Sequence, residues 1–146
     1  MLASFDALIS PVFLADLESV PIEQVRERRA ICDDAEVALS YVRRIVQGRL
    51  DILMGGAADV DHLPELLADP VRTGGPGRLS SRLAPGELPP ELEAALEAAV
   101  AADDLVALER RVSTLRRSVH VTIDALQNEL VRRYKSGEAD VDSLLT

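Results

Sequence analysis

Two aliphatic seams constrain this chain more than anything else in its sequence. One runs Ala35, Leu39, Val42, Val46, Leu50, Leu53; the other runs Leu105, Leu108, Val112, Leu115, Val119, Ile123, Leu126, Leu130. The steps alternate between three and four residues, the spacing that knobs-into-holes packing of helices requires. A lone helix leaves such a seam in water, so each seam demands a partner, and the nearest one is the other seam. Between them residues 71–90 (VRTGGPGRLSSRLAPGELPP) hold eight Gly or Pro, which reads as a flexible crossing. The expected fold is all-α: an antiparallel two-helix coiled-coil hairpin with short flanking helices and a long flexible connector.

Composition agrees with this choice. Of 146 residues 47% are apolar but only 3% aromatic, with no Trp, so the core is aliphatic and suits helices better than a sheet. The single Cys32 excludes an internal disulfide frame and a cysteine-rich metal site, and fits a reducing compartment. No Lys or Arg precedes Arg26, so the basic region of a secretory signal is missing. No apolar run approaches the ~20 residues needed to cross a bilayer. We therefore expect a cytoplasmic protein with no membrane partner.

Along the chain, residues 1–20 form an apolar and acidic segment, with a short helix expected around Val12 to Leu17. The first long helix is expected over 21–54, with Ser19 and Pro21 as start signals and Gly55-Gly56 as its stop. Gly48 inside it costs up to ~1 kcal/mol relative to Ala, so it calls for a close approach by a ligand or by backbone. Residues 55–88 are assigned to the connector, which includes His62. A second helical region is expected over 89–136, opened by Pro89-Pro90. It is expected to break near Ala102-Asp103, with Asp103 as cap of the renewed helix. Residues 137–146 form a tail ending in an apolar cluster suited to docking on a partner.

One residue after each seam position runs a second pattern. The first window (EVALSYVRRIVQGRLD, 36–51) carries Glu36, Ser40, Arg43, Gln47 and Asp51. The second (ERRVSTLRRSVHVTID, 109–124) carries Glu109, Ser113, Arg116, His120 and Asp124. Offsets of four, seven, eleven and fifteen put each set on one narrow stripe rising ~22 Å along its helix. The windows share six identical residues of sixteen, where average usage predicts ~1. The plain alternative is a solvated face with Glu–Arg pairs within each helix, worth ~0.2–0.5 kcal/mol apiece. Ser beside Gln adds little to a helix, however, and supplies donors and acceptors for a planar polar ligand.

Charge points the same way. The chain carries −9, which disfavours direct binding of nucleic acid. The two windows hold seven arginines against four acids, making a basic patch on an acidic protein. Arg offers a planar fork to guanine O6 and N7 or to phosphate. A carboxylate such as Asp51 accepts from the N1–H and amino group of guanine. Two copies on antiparallel helices are related by an approximate two-fold axis, so a two-fold symmetric purine nucleotide is the natural guest.

The pattern Glu-x3-Ser-x2-Arg-x3-Gln-x3-Asp resembles the signature of the RsiG family, actinobacterial anti-sigma factors that bind cyclic di-GMP. The first window matches at all five positions. The second matches at four, with His120 where the family has Gln. The resemblance implies an antiparallel coiled coil clasping a dimer of cyclic di-GMP, with Arg43 and Arg116 on the phosphates and Arg44 and Arg117 helping to screen them. It also implies that the loaded form binds and silences a WhiG-type sigma factor, repressing transcription without catalysis or a metal. His120 departs from the pattern: an imidazole replaces an amide as donor or acceptor, but unlike an amide it can also carry a proton's charge.

Other features carry less. Asp33-Asp34 and Asp103-Asp104 lack a His at metal-ligand spacing. Cys32 has no adjacent base and reads as a small packed side chain. TGGPG lacks the Lys-Ser/Thr of a phosphate loop. The rival readings are a cyclic di-GMP receptor acting on a different protein and a purely structural coiled coil.

Overall fold

The structure, a computed structural model, describes residues 3–55 and 85–137. The expectations for the connector between 56 and 84, for His62 and for the apolar tail lie outside the described residues. Four α-helices are described: α1 (Ala3–Leu8), α2 (Ile22–Met54), α3 (Pro90–Ala98) and α4 (Ala102–Ser136), with a 3-10 turn at Pro11–Leu14. At 1.5 Å per residue α2 and α4 are each roughly 50 Å long, and they pack together along most of that length. Glu36 meets Arg116, Arg43 meets Glu109, and Arg26 meets Tyr134. Position falls on one helix as it rises on the other, so the pair is antiparallel. The all-α hairpin expected from the seams is the fold.

The seams explain the pairing. Leu39, Val42 and Val46 on α2 and Leu105, Val112, Val119, Ile123 and Leu126 on α4 are each at most 1% exposed. Leu53 breaks the pattern at 55% exposed, and Leu50 is only half-buried. In the antiparallel register the residues opposite Leu53 precede the start of α4, so α2 overruns its partner and Ile52, Leu53 and Met54 project past it.

Both helices begin and end for local reasons. Pro21, as N-cap of α2, makes no side-chain cap. Ser19, expected as a start signal, instead donates its hydroxyl to the Asp16 carbonyl at 2.9 Å. There it serves a tight turn in which Asp16 holds a left-handed φ of 55°. That turn, with Pro11 opening the 3-10 turn, replaces the continuous helix expected over 12–17. Pro90 occupies the first turn of α3, where its missing N–H costs nothing. The break falls at residues 99–101, and α4 then starts from Ala101 with no side-chain cap. Asp103 and Asp104 lie in the first turn of α4 and favour it through the helix dipole rather than as caps. Gly137 closes α4 at a φ of 74°, its N–H reaching the Arg133 and Tyr134 carbonyls, the left-handed stop that glycine adopts most readily.

One face of the hairpin is covered by the rest of the chain. Phe5 is buried, and Leu8, Phe13, Leu14, Leu17 and Val20 pack against the core. Thr122 on α4 donates to the Leu8 carbonyl at 3.3 Å, and Arg28 on α2 donates to the Phe13 carbonyl at 2.9 Å. Nearer the connector, α3 lays Leu92 and Leu96 on α2, and Arg49 donates to the Leu96 carbonyl at 2.8 Å. These contacts lie on the flank of the seams away from the polar stripes. The amino-terminal segment therefore spends its apolar side on its own hairpin.

Candidate functional site

On the other flank the two stripes face each other across the helix crossing. Within a stripe Glu and Arg are seven residues apart, about 10 Å along the helix, too far to pair. The antiparallel register supplies each with a partner on the opposite helix. Arg116 donates through Nε to Glu36 Oε1 at 3.0 Å and to Ser40 Oγ at 2.7 Å. Arg43 donates through Nε to Glu109 Oε1 at 3.1 Å and to Ser113 Oγ at 3.0 Å. Each serine also hydrogen-bonds its own glutamate, Ser40 to Glu36 at 2.7 Å and Ser113 to Glu109 at 2.8 Å. The result is two copies of one Glu–Ser–Arg network, each built from both helices and exchanged by a two-fold axis at the level of Ser40 and Ser113. The alternative of pairs within one helix is thereby replaced by pairs across the crossing.

The electrostatics follow from this wiring. Burial pushes the Glu36 carboxyl up, but the Ser40 hydroxyl and Arg116 outweigh it and leave it below the usual carboxylate range. The Ser113 hydroxyl, against a smaller effect of burial and with help from Arg43, lowers Glu109 as well. Both are therefore ionised acceptors at neutral pH. Each arginine, a little over one-third exposed, commits Nε to the crossing. Among the described residues the Nη edges of the two forks make no hydrogen bond. A guanidinium aimed in this way is prepared for a planar acceptor pair or a phosphate.

The remaining stripe residues are placed less centrally. His120 Nε2 stands 3.5 Å from Glu36 Oε1. Gln47 is half-buried at the equivalent place on the other side. Asp51 and Asp124 are exposed and lie ~16 Å along the helices from the axis, so they flank the networks rather than join them. Arg44 is exposed beyond the stripe. Arg117 turns back on its own helix, donating to the Ser113 carbonyl at 3.3 Å. Gly48 faces away from the crossing, and a Cβ there would meet nothing within 4 Å, so no protein backbone accounts for it. Among the described residues no group of three potential metal ligands stands together, and no helix is long and apolar enough to cross a membrane.

A second polar cluster went unread in the sequence. Glu129 and Arg133 are each 7% exposed. The Glu129 carboxylate accepts from Arg133 Nε at 2.7 Å and from Arg132 at two 2.9 Å contacts, while Arg133 Nη2 donates to the Leu17 carbonyl at 2.7 Å. Hydrogen bonds from Arg132 and then Arg133, against the cost of burial, hold the Glu129 pKa down to about 2. This cluster ties the amino-terminal segment to α4. Its only sequence signal, Glu129 four residues before Arg133, is shared by any solvated helix face.

Fold and site together define a helical hairpin whose duplicated polar motif is wired crosswise on one open face. The chain belongs to the RsiG-like family, whose profile matches residues 11–67 and 89–146, spans that include both motif-bearing helices. No curated protein and no solved structure shows significant similarity to it.

Proposed function

We propose that this chain is a ligand-gated anti-sigma factor: it binds cyclic di-GMP through the two stripes and, when loaded, sequesters a WhiG-type sigma factor. The observation that carries the reading is the pair of crosswise networks, which present two outward guanidinium forks about a two-fold axis. Cyclic di-GMP is itself two-fold symmetric, with two phosphates and two guanines. The residues suit that guest. Arg43 and Arg116 offer forks to phosphate or to guanine O6 and N7. Glu36 and Glu109, held ionised, fix the two guanidinium groups in place from the opposite helix. Asp51 and Asp124, at the outer ends of the stripes, serve a ligand pair longer than the central networks. Arg44 and Arg117 add positive charge around it. The reading includes no catalytic step, because carboxylates stabilised by arginine are poor proton donors and suit recognition. The acidic remainder of the chain favours a partner with a basic surface.

The test is calorimetric titration of the full chain with cyclic di-GMP, followed by co-elution with a WhiG-type sigma factor with and without the nucleotide. Arg43→Ala/Arg116→Ala removes two charged contacts of roughly 2–3 kcal/mol each, so affinity should fall about a thousandfold or more. Binding without co-elution would leave a receptor for some other protein. No binding at all would leave a structural coiled coil.

A further inference from the structure

Glu36 and Glu109 are two-fold mates, yet they are not held alike. Glu109 has Ser113 and Arg43. Glu36 has Ser40, Arg116 and, in addition, His120 at 3.5 Å on the same Oε1 that receives Arg116. That separation is too long for a strong hydrogen bond. Glu36 is also the more enclosed of the two, its side chain 15% exposed against 24% for Glu109. Gln47, in the mirrored place, has an amide that stays uncharged throughout the neutral pH range. An imidazole alone among unperturbed side chains changes charge between pH 5 and 8.

We propose that His120 makes the two halves of the site unequal: on taking up a proton it draws Glu36 away from Arg116 Nε, so that the whole donor edge of that guanidinium, and not the Nη fork alone, is left to an anionic ligand. The inference rests on the functional reading above and adds its regulation. The charged groups on the ring's flank are Glu36 at 3.5 Å and, one turn earlier on α2, Asp33, itself paired with Arg29 at 3.6 Å, with Arg116 and Asp124 one turn to either side on α4. Among the described residues the amino-terminal segment and α3 lie on the opposite flank and contribute none. Protonation has two effects of the same sign. An imidazolium bond to Glu36 is charge-assisted and shortens, competing with Arg116 for one oxygen. The added charge also attracts the phosphodiesters directly. One unit charge ~7 Å away in a largely water-screened cleft changes affinity by roughly threefold. The half that holds Gln47 has no such control.

The experiment is titration of the full chain with cyclic di-GMP from pH 7.5 to 6.0, a range in which neither its phosphodiesters nor its guanines titrate. Wild type, His120→Gln and Gln47→His are compared, each checked for helicity by circular dichroism. Wild-type affinity should tighten roughly threefold across the range, from the same charge estimate. His120→Gln should give a flat profile, and Gln47→His a slope steeper than wild type. Equal slopes in wild type and His120→Gln, or no added slope in Gln47→His, would overturn the inference while leaving the ligand assignment intact. Absence of binding by all three at every pH would overturn both.

Discussion

Replacing Glu129 by Gln keeps the size of the side chain and removes its charge from the Glu129–Arg133 pair, the most enclosed ion pair among the described residues. The carboxyl falls from 4.5 to about 2 on folding, and at 1.36 kcal/mol per unit this sets a ceiling of about 3.4 kcal/mol. Arg132 is 45% exposed, so water screens its share, and a loss of about 2 kcal/mol at pH 7 is expected. For a domain of this size that is a fall in Tm of about 4–8 °C. A group whose pKa is depressed on folding contributes stability above its unfolded pKa and loses it as pH falls through the folded value. The gap between wild type and variant should therefore be full at pH 5 and above, narrow below 4.5, and have mostly gone near pH 2. Thermal melts followed by circular dichroism at pH 7, 4.5, 3 and 2 measure it. Because Arg133 also holds the Leu17 carbonyl, the variant should be cut faster by chymotrypsin at Phe13. A gap that stayed constant from pH 7 to pH 2 would refute the assignment of this stability to an ionised Glu129.

Two further outcomes need only simple assays. Gly48→Ala places a methyl in open space on a helix face, so it should stabilise the chain by up to about 1 kcal/mol; a lower melting temperature would mean that the outward face of α2 is not free. Burial, then the neighbouring Asp33, raises the Cys32 thiol to about 11, so it should resist a thiol reagent at pH 7.5 until the chain unfolds. Reaction at the rate of a free thiol in the native protein would contradict its place in the core.

The parts legible in the sequence are those fixed by local periodicity. Leu39, Val42, Val46 and the eight seam residues of α4 could be placed because their spacing admits one helix face, and Gly137 marks a helix end because few other residues take its φ. What escaped depends on relations between elements. Leu53 keeps the seam period but lies beyond the start of α4, and only the register of the hairpin reveals that. Nothing in the apolar residues before Pro21 shows that they pack on their own hairpin, because the groups that fix their backbone, Arg133 and Thr122, lie more than a hundred residues away on α4. The stripes were visible residue by residue. That Arg43 serves Glu109, and Arg116 serves Glu36, was not, because each stripe read alone places its glutamate and arginine two turns apart.

The two flanks of the hairpin also separate stability from recognition. One is closed by α3 and by the amino-terminal segment, pinned through Leu8, Phe13 and Leu17; the other carries half-exposed ion pairs, a kind that contributes little to folding. On the proposed reading, Arg43→Ala/Arg116→Ala should abolish nucleotide binding and lower stability by no more than about 1 kcal/mol for each pair removed. Glu129→Gln should do the reverse, weakening the fold while leaving affinity unchanged. A coiled coil with no ligand would need its arginine networks for cohesion alone and would show no such division. The pair of variants, measured for both properties, therefore distinguishes a recognition face from an ordinary solvated one more sharply than either does alone.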